Sequence, residues 1–580
     1  MKDSFKETAT ILALENATTY NGKANAKALI GKLMPQFPQM KDDMKSYMKT
    51  LEEVTREINE LSPEEQKEKL LKLNPAFDKE QEEKKKSRER KAELPDLPMN
   101  SEKEDIVVRF SPAPSGNLHL GHLFPLLYNY LYKKKYNGKM ILRLEDTNPE
   151  KIAKENYDRI IEDCTWLTQD GIDEIVCQSD RLELYYKELE KLLQNGHAYV
   201  CSCAPDDFKN YNDNSQACPH RTQAPEEALK LYKNMKEGII KEGEAAIRFK
   251  ADLENKNPAL RDFPIARVKE AEHVRLGNSV KLWPMYNLCV SIDDALMNVT
   301  HVIRGKDHEI NGFRQDMIKD ALNLRKSYYI VVGRINFTDI ELSKSKLTIK
   351  VENKEVSGWD DPRMPTVIAF RKRGFRAKAF EQLILNKGIS KRDSTISKAE
   401  FMKSLEFYNK QILDKEADRA YCITEPKKLH ISNIKDIKRK DISIAYHPED
   451  EGRGKRTVPI EEDYLVEGRD FDALETNNIF RLLHFGNFKV IEKKEDTLNC
   501  EFLGEELDKN LKLSRSIHYL STEDKEDCEI VLPDASKVSA FSSKTGKLRK
   551  GQCLQFERYG FCCFDHEEEN GVKVYYFTQN

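Results

Sequence analysis

The sequence predicts a multidomain α/β protein whose central domain contains a doubly wound parallel sheet. Its 580 residues exceed what one hydrophobic core can serve, since domains commonly contain about 100 to 200 residues. Between residues 105 and 149, a short apolar run, a run with helical spacing and a second apolar run follow one another. This strand, helix, strand order is typical of parallel sheets, whose ligands bind at the carboxyl ends of the strands.

The composition argues against membrane and secreted proteins. Charged residues make up 34% of the chain, and no segment approaches the roughly 18 to 20 apolar residues of a membrane-spanning helix. The opening residues lack an apolar stretch of signal-peptide length. Twelve cysteines are scattered along the chain, and Lys and Arg (96) nearly balance Asp and Glu (99). We therefore expect a soluble protein of a reduced cytoplasm, with no membrane association.

The first hundred residues read as a polar, helical module. Apolar residues between Met40 and Ile58 recur at helical spacing, and Ser62, Pro63 and Glu65 have the form of a capping box that opens a second helix. The methionines could form a surface for a protein partner, but packing within the module is the commoner explanation. The charged run Lys79–Lys91 is predicted to be a solvated helix or linker.

Two short segments suggest a nucleotide site. His119 and His122 lie in the first turn of the helix that follows the first strand, with Gly121 between them. A helix N-terminus favours phosphate oxygens, and the glycine allows a flat ring to approach the backbone. Further along the chain, Glu341–Lys346 (ELSKSK) is a lysine-rich loop that could reach a phosphate. Taken alone, either segment could also be an ordinary solvated surface.

Five ordered motifs carry a specific resemblance. They are RFSPAPSGN followed by HLGH, LRLEDTNPE, THVIRGKDHEINGFRQ, LSKSK and WDDPRMPT. Their order and spacing resemble those of class I aminoacyl-tRNA synthetases, and together they look like the glutamyl-tRNA synthetases of the archaeal type. The resemblance is strong over Val107–Cys422 and covers the two flanks only in overall layout.

The resemblance implies a division of the chain into a Rossmann-type catalytic domain, an inserted module that grips the tRNA acceptor end, and flanking domains. The expected ranges are 1–100 (helical extension), 101–197 and 285–350 (the two halves of the catalytic domain), 198–284 (inserted module), 351–425 (helical stem-contact domain) and 426–580 (β-barrel anticodon-binding domains).

A pocket for glutamate needs a guanidinium for a carboxylate and an acid for the ammonium group. By resemblance, Arg109 and Arg304 hold the side-chain carboxylate, and Glu145 and Tyr286 hold the α-amino end. The alternative for any one of them is a structural ion pair, such as Arg109 with Glu145. Glutaminyl enzymes of the same subclass carry a small neutral residue in place of Arg304, which favours glutamate over glutamine.

The resemblance also implies an ATP and Mg²⁺ requirement, with catalysis by His119, His122 and Lys344. The residues expected to contact ATP are Ser111, His119, Gly121, His122, Ser343 and Lys344. The lysine that often opens the LSKSK signature is Glu341 here, so Lys346 is an alternative to Lys344 as the phosphate lysine. Pro125 requires the helix to begin close to His122, since a proline in a helix interior costs about 3 kcal/mol.

The predicted inserted module contains Cys201, Cys203, Cys218 and His220, two close pairs of soft or borderline ligands. Such a set suits a tetrahedral, structural Zn²⁺, and bacterial relatives carry similar pairs in the same module. Four unmetallated residues near a turn are the alternative. We interpret Cys177, His308 and the Cys562–Cys563 pair as structural, because none of them belongs to a comparable cluster of ligand-type residues.

The expected partners are L-glutamate, tRNA-Glu and, as in many archaeal relatives, tRNA-Gln. Such a non-discriminating enzyme leaves an amidotransferase to correct the product. Basic runs at Lys435–Lys440 and Lys544–Lys550 are candidate tRNA contacts, although ordinary solvated faces look the same. The alternatives are a glutaminyl-tRNA synthetase, which Arg304 disfavours, and a catalytically idle relative that binds tRNA or scaffolds other proteins through residues 1–100.

Overall fold

The computed structural model describes residues 2–19, 22–34, 37, 40, 43–75, 77, 93–98, 105–506 and 512–580. The chain divides into two compact units, residues 1–92 and 93–580. Among the described residues, no helix combines the length and the apolar character that crossing a bilayer requires.

The first unit is helical, as the sequence predicts. Ser62 caps the second predicted helix, and Glu65 completes its capping box. Met40 is fully buried, and Met44 and Met48 pack against the same core, which confirms packing within the module. The predicted run Lys79–Lys91 lies outside the described residues. The helices are α1 (Lys2–Thr19), α2 (Ala26–Leu33), α3 (Met44–Asn59) and α4 (Pro63–Leu73).

The second unit is built around the predicted parallel sheet. Its five strands run in the order β3-β2-β1-β8-β9, and every pairing is parallel. The two central strands are buried almost throughout, as expected for a sheet covered on both faces. The strands are β1 (Val107–Phe110), β2 (Lys139–Leu144), β3 (Glu174–Cys177), β8 (His301–Gly305) and β9 (Tyr328–Val332).

Helices connect and cover the sheet. They are α5 (Leu120–Tyr136), α6 (Lys154–Leu167), α7 (Leu182–Gln194), α10 (Tyr286–Leu296) and α11 (Glu309–Ala321). The sequence of Tyr286–Ile292 (YNLCVSI) predicts a strand, but this prediction is wrong, because the segment is part of α10. Residues 287–295 are all buried, including the polar Asn287, Ser291, Asp293 and Asp294, so no exposed face marks the helical period and the pattern does not separate helix from strand.

A four-stranded antiparallel sheet interrupts the parallel sheet between β3 and β8. Its strands are β4 (Ala198–Cys201), β5 (Ala246–Phe249), β6 (Phe263–Val268) and β7 (Leu282–Pro284). Two helices, α8 (Pro205–Asp213) and α9 (Pro225–Lys236), join β4 to β5. This region has a core of its own, which also includes residues of α7, α10 and α11.

A helical segment follows β9, with one small parallel sheet formed by β10 (Ile335–Phe337) and β11 (Ser394–Ile396). Its helices are α12 (Lys344–Glu352), α13 (Val367–Lys372), α14 (Ala377–Lys387) and α15 (Lys398–Glu416). The helical segment expected between residues 365 and 424 contains three of these helices, but it ends at Glu416, because Asp418–Ala420 and Cys422–Ile423 are strands.

The C-terminal third is β-rich, as expected. It contains two seven-stranded sheets, and the described pairings give both an open strand order. One sheet contains β14 (Pro426–Ile431), β17 (Asp463–Glu467), β18 (Ile479–Leu482), β19 (Gly486–Lys493), β20 (Thr497–Gly504), β21 (Leu513–Ile517) and β22 (Leu520–Ser521). The other contains β12 (Asp418–Ala420), β13 (Cys422–Ile423), β23 (Lys525–Val531), β24 (Lys537–Ser543), β25 (Cys553–Phe556), β26 (Gly560–Glu567) and β27 (Lys573–Gln579). A hairpin, β15 (Asp441–Ala445) with β16 (Lys455–Pro459), and a short helix, α16 (Gly468–Asp472), complete this third.

Candidate active site

A cavity of about 920 Å³ opens at the carboxyl ends of the parallel strands. This is where doubly wound sheets bind their ligands. Nine of the residues predicted from the sequence line it: Arg109, Ser111, His119, Gly121, His122, Glu145, Tyr286, Arg304 and Ser343. The structure thus brings the residues predicted to bind ATP and the residues predicted to bind glutamate together around one cavity.

The two histidines sit at the N-terminus of α5 with their rings 4.0 Å apart, centroid to centroid. The backbone N–H of Gly121 donates to His119 Nδ1 (3.1 Å), and the N–H of His119 donates to His122 Nδ1 (3.2 Å). Burial lowers the pKa of His119 to about 4 and the pKa of His122 to about 3. Both rings are therefore neutral at pH 7, and each carries its proton on Nε2 as a hydrogen-bond donor.

The HLGH segment is braced by the WDDPRMPT motif. The N–H of Leu120 donates to the Pro365 carbonyl (3.1 Å), and the N–H of Val367 donates to the Leu118 carbonyl (3.0 Å). Gly121 faces the His119 ring so closely that an added Cβ would lie 2.9 Å from Cε1. The glycine thus accommodates the histidine ring itself, a packing role that the sequence argument did not consider.

Helix α5 begins at Leu120, close to His122 as Pro125 requires. Pro125 nevertheless lies inside the helix and cannot donate a hydrogen bond to the Gly121 carbonyl. One helical turn further along, Asn129 Nδ2 donates to the carbonyls of Pro125 (2.7 Å) and Ile303 (3.3 Å). This fully buried amide ties α5 to strand β8 behind the cavity.

Arg109 is engaged by a carboxylate, though not by Glu145. Its Nε and Nη2 atoms donate to the two carboxylate oxygens of Asp294, at 3.2 and 3.3 Å. The Asp294 carboxylate also accepts from Arg143 Nη1 (2.8 Å). Burial alone would raise the pKa of Asp294, but the two guanidinium groups hold it below its ordinary value. The postulated Arg109–Glu145 pair is thus replaced by a buried pair with Asp294.

Glu145 is the residue directly after strand β2, and its carboxylate is largely buried. Its Oε1 atom lies 3.5 Å from Arg143 Nη2 but has no hydrogen-bond partner among the described residues. Burial raises the pKa of Glu145 to about 7, against the opposing effect of Arg143 and Arg109. A buried acid in a cleft, with one oxygen that lacks a hydrogen-bond partner, is suited to receive a cationic group.

The raised pKa of Glu145 predicts a pH dependence. As the pH falls from 8 to 6, Glu145 becomes protonated and loses its attraction for an ammonium group, so kcat/KM for an α-amino acid substrate should fall up to about tenfold. In Glu145→Gln this dependence should be absent, with kcat/KM low at every pH. Initial rates over this pH range, compared with the exposed-residue control Glu155→Gln, would check it.

The same carboxylate should affect stability with a defined sign. The folded-state pKa of Glu145 lies above its ordinary value of 4.5, so its ionisation destabilises the fold as the pH rises from about 4.5 to 7. Glu145→Gln should therefore raise the Tm at pH 8 and leave it unchanged at pH 4. An equal change of Tm at both pH values would contradict the burial argument.

Arg304 lies at the end of β8 and is almost fully buried. Its Nη1 atom donates to Gln315 Oε1 (3.0 Å), and its guanidinium carbon lies 4.8 Å from the centroid of the Tyr329 ring. Nε and Nη2 are buried without a hydrogen-bond partner among the described residues. Because unsatisfied buried donors are costly, this pair of donors is suited to a ligand with two acceptor oxygens.

The two candidate phosphate lysines have different surroundings. Lys344 is the first residue of α12, and its aliphatic chain lies where a Cβ on Gly116 would be, with Lys344 Cε 2.5 Å from that position. Lys344 thus packs on the SPAPSGN loop. Lys346 is mostly exposed and forms an ion pair with Glu341 (2.7 Å). Neither lysine is among the residues that line the cavity. Lys344 directly follows the lining residue Ser343 and packs on the loop that contains Ser111, so its position favours it over Lys346.

Several residues of the cavity wall were missed by the sequence argument. Asp307, His308, Arg334 and Asn336 line it, and the His308 ring lies 5.7 Å from the Tyr286 ring. His308 is therefore a wall residue rather than the purely structural residue expected. Arg334 comes just after β9, so its place at the carboxyl end of a parallel strand was the available signal, whereas Asn336 lies within β10.

A separate group of ligand-type residues lies at the end of β4. The ligand atoms of Cys201, Cys203, Cys218 and His220 are all within 4.8 Å of one another. Cys201 Sγ lies 3.9 Å from Cys218 Sγ, and Cys203 Sγ lies 3.3 Å from His220 Nδ1. Three sulfur atoms and one imidazole nitrogen at this separation fit the tetrahedral ligand set of a structural zinc.

The C-terminal basic runs give a weaker signal. Lys544 pairs with Asp524 (2.9 Å) and Lys550 pairs with Asp565 (3.0 Å). These ion pairs are those of an ordinary charged surface, so nothing in the geometry singles out either run as an interface.

Fold and site together define an α/β protein with a ligand cavity at the carboxyl ends of its parallel strands, lined by two histidines at a helix N-terminus and by buried arginine and glutamate side chains. A family model described as tRNA synthetases class I (E and Q), catalytic domain, matches residues 105–415. A second model, for the anticodon-binding domain of the same family, matches residues 417–503. The chain belongs to the class I aminoacyl-tRNA synthetases of the glutamyl and glutaminyl subclass.

Curated relatives extend the match along the whole chain. The glutamate–tRNA ligase of Pyrococcus furiosus is 38% identical over 97% of this chain and 98% of its own length. The ligase of the same name from Methanocaldococcus jannaschii is 36% identical over 97% and 98%. A solved glutamate tRNA ligase from Elizabethkingia meningosepticum covers 54% of this chain and 70% of its own, at 21% identity and a TM-score of 0.39. The resemblance drawn from the five motifs is confirmed.

Proposed function

We propose that this chain is an ATP-dependent glutamate–tRNA ligase. The observation that carries the proposal is Arg304, a residue of the cavity lining whose buried Nε and Nη2 atoms have no hydrogen-bond partner among the described residues. A carboxylate satisfies both donors in a bidentate fork, whereas a carboxamide offers one acceptor oxygen and an unmatched NH₂ group. Relatives named glutamate–tRNA ligase, similar over nearly the whole chain, support the same substrate.

The reaction consists of two displacements. An oxygen of the glutamate α-carboxylate bonds to the α-phosphorus of ATP, the bond to the β-phosphate oxygen breaks, and glutamyl-adenylate and pyrophosphate result. A ribose hydroxyl of the tRNA 3′-terminal adenosine then bonds to the glutamyl carbonyl carbon, loses its proton and displaces AMP. Neither displacement needs a protein nucleophile, so positioning and charge stabilisation account for catalysis.

The residues of the cavity divide these tasks between two ends. At the nucleotide end, the Nε2–H groups of His119 and His122 and the N-terminus of α5 supply donors for phosphate oxygens. Lys344 adds a positive charge from the facing loop, and Mg²⁺ would supply further neutralisation of the phosphates. At the amino acid end, Glu145 receives the ammonium group and Arg304 receives the side-chain carboxylate.

The proposed tRNA choice is broad: tRNA-Glu and, as a finer proposal, tRNA-Gln. Charging of separately transcribed tRNA-Glu and tRNA-Gln with labelled glutamate and glutamine tests this choice, with Lys344→Ala as the inactive control. Glutamate on both tRNAs would support the non-discriminating enzyme, and glutamate on tRNA-Glu alone would restrict it. Glutamine as the preferred amino acid would favour the glutaminyl alternative, and no charging at all would favour the idle relative.

The domain roles follow from the same proposal. Residues 198–284 would grip the acceptor end, residues 351–425 would contact the tRNA stem, and the β-rich residues 426–580 would form barrel-type anticodon-binding domains. A protein partner for residues 1–100 remains a further proposal.

The cysteine and histidine group would hold a structural Zn²⁺ in the inserted module. Purified protein should contain about one zinc per chain, and Cys203→Ser should lose it, because a hydroxyl is a poor replacement for a thiolate ligand. Metal analysis would measure this, with the half-buried Cys177→Ser as the matched control. Full activity after chelation, together with zinc-free wild-type protein, would remove the zinc proposal.

A further inference from the structure

The way Arg304 is held leaves one particular edge of its guanidinium for the substrate. A guanidinium can grip a carboxylate with Nε and Nη2 or with its two terminal nitrogens. Gln315 Oε1 accepts one hydrogen bond from Nη1, so this nitrogen already has a protein partner. The remaining edge, Nε with Nη2, is the unpartnered one.

The side-chain amide of Gln315 is itself held in one orientation by a second hydrogen bond. It is fully buried on α11, and its Nε2 atom donates to Asn287 Oδ1 on α10 (3.3 Å). This hydrogen bond determines which way the amide faces: the nitrogen turns to Asn287 and the oxygen turns to Arg304. The orientation of Gln315 is therefore set by α10, the helix that also carries Tyr286.

The faces of the guanidinium are confined as well. The Tyr329 ring stacks against Arg304, and the Tyr329 hydroxyl donates to Asp316 Oδ1 (2.9 Å), which fixes the ring. A Cβ on Gly312 would lie 2.9 Å from Arg304 Nη2, so the helix backbone approaches the guanidinium closely at this point. Rotation of the guanidinium is restricted on both sides.

The two arginines nominated for the substrate carboxylate, Arg109 and Arg304, differ in the partners of their guanidinium groups. Arg109 already uses Nε and Nη2 on the carboxylate of Asp294. Arg304 has a neutral partner, the Gln315 amide, which occupies one donor without compensating the positive charge. Arg304 thus keeps both a full charge and a free bidentate edge.

We infer that Gln315 is a positioning residue for substrate selection: it directs the Nε/Nη2 edge of Arg304 toward the substrate side-chain carboxylate while leaving the guanidinium charge uncompensated. This inference rests on the proposed function, because it takes the ligand to be the side chain of glutamate. Gln315 makes its contribution through Arg304 and touches no substrate atom.

Two substitutions separate orientation from charge. Gln315→Met keeps the length of the side chain but removes the acceptor, so the guanidinium can turn and glutamate binding should weaken at least tenfold. Gln315→Glu keeps the acceptor and adds a negative charge, so the edge stays in place while its attraction for a carboxylate falls, again at least tenfold. Gln194→Met, at an exposed position of α7, is the matched control and should bind as the wild type does.

Calorimetric titration with glutamol-adenylate, a non-reactive analogue of glutamyl-adenylate, and with its glutamine counterpart measures the effect without catalysis. We expect both Gln315 variants to bind the glutamine analogue nearly as the wild type does, so that the preference for the glutamate analogue falls at least tenfold. The KM for ATP in the charging assay should stay within twofold, a readout that general structural damage would not spare.

Failure of this inference and failure of the proposed function look different. Unchanged affinity for the glutamate analogue in both variants would overturn the inference while charging by the wild type stands. Tight analogue binding by the wild type without charging of any tRNA would overturn the proposed function and leave Gln315 as a positioning residue. Absence of analogue binding by the wild type would overturn both. If Gln315→Met does not fold, the nearly isosteric Gln315→Glu decides.

Discussion

Arg304→Met is expected to lower kcat/KM for glutamate by about 10² to 10³, with little change in the KM for ATP. The variant removes a buried charged fork, and loss of such a partner commonly costs about 2 to 5 kcal/mol. The KM for glutamate should carry most of the loss. Steady-state charging of tRNA-Glu over a range of glutamate and ATP concentrations would separate the two effects.

The control for this prediction is Arg325→Met, an exposed arginine that does not line the cavity. It should charge tRNA-Glu at the wild-type rate. If Arg304→Met kept kcat/KM for glutamate within threefold of the wild type, Arg304 would not be the carboxylate-binding residue and the case for glutamate would lose its main support.

Lys344→Ala is expected to reduce kcat by about 10² to 10³, because it removes a positive charge from the phosphates while the amino acid pocket stays intact. The KM for glutamate should change less than threefold. Lys346→Ala should reduce kcat less than tenfold, since Lys346 is mostly exposed and paired with Glu341. Single-turnover formation of the adenylate in the presence of tRNA would measure the step directly.

The comparison of the two lysine variants decides between the two candidates left open by the sequence. A larger loss in Lys346→Ala than in Lys344→Ala would reverse the assignment. Equal losses would indicate that both lysines contribute to the reaction. Glu341 would then hold the loop in place rather than neutralise Lys346.

Much of the fold could be predicted because its signals are local. Strands β1 and β2, the capping box at Ser62 and the start of α5 each depend on residues adjacent in sequence. Helix α10 could not be predicted, because burial on all sides removes the periodicity that separates helix from strand. Tyr286, which the sequence argument nominated as a glutamate-binding residue, lines the cavity, although it lies in a helix and not in the expected strand.

The candidate site, like the fold, could be predicted only in part. The motif residues that face the cavity could be found from the resemblance, but Asp294 and Gln315 could not be assigned from residue chemistry. Both are fully buried, and each contacts an arginine of another element. Asp294 is 185 residues from Arg109 and lies outside the five motifs, so predicting that pair requires the register between elements. Gln315 lies in the same motif as Arg304, but the motif does not state that the strand and the following helix face each other.

The hydrogen bonds at the start of α5 have a consequence for the response of the enzyme to acid. Because backbone N–H groups occupy Nδ1 of both His119 and His122, and burial keeps the rings neutral, mild acid leaves the nucleotide half of the cavity unchanged. The amino acid half contains Glu145, which titrates near neutrality. Acidification from pH 8 to 6 is therefore expected to weaken the binding of glutamate while the binding of ATP stays the same. A cell could offset this loss by raising its glutamate concentration without raising ATP.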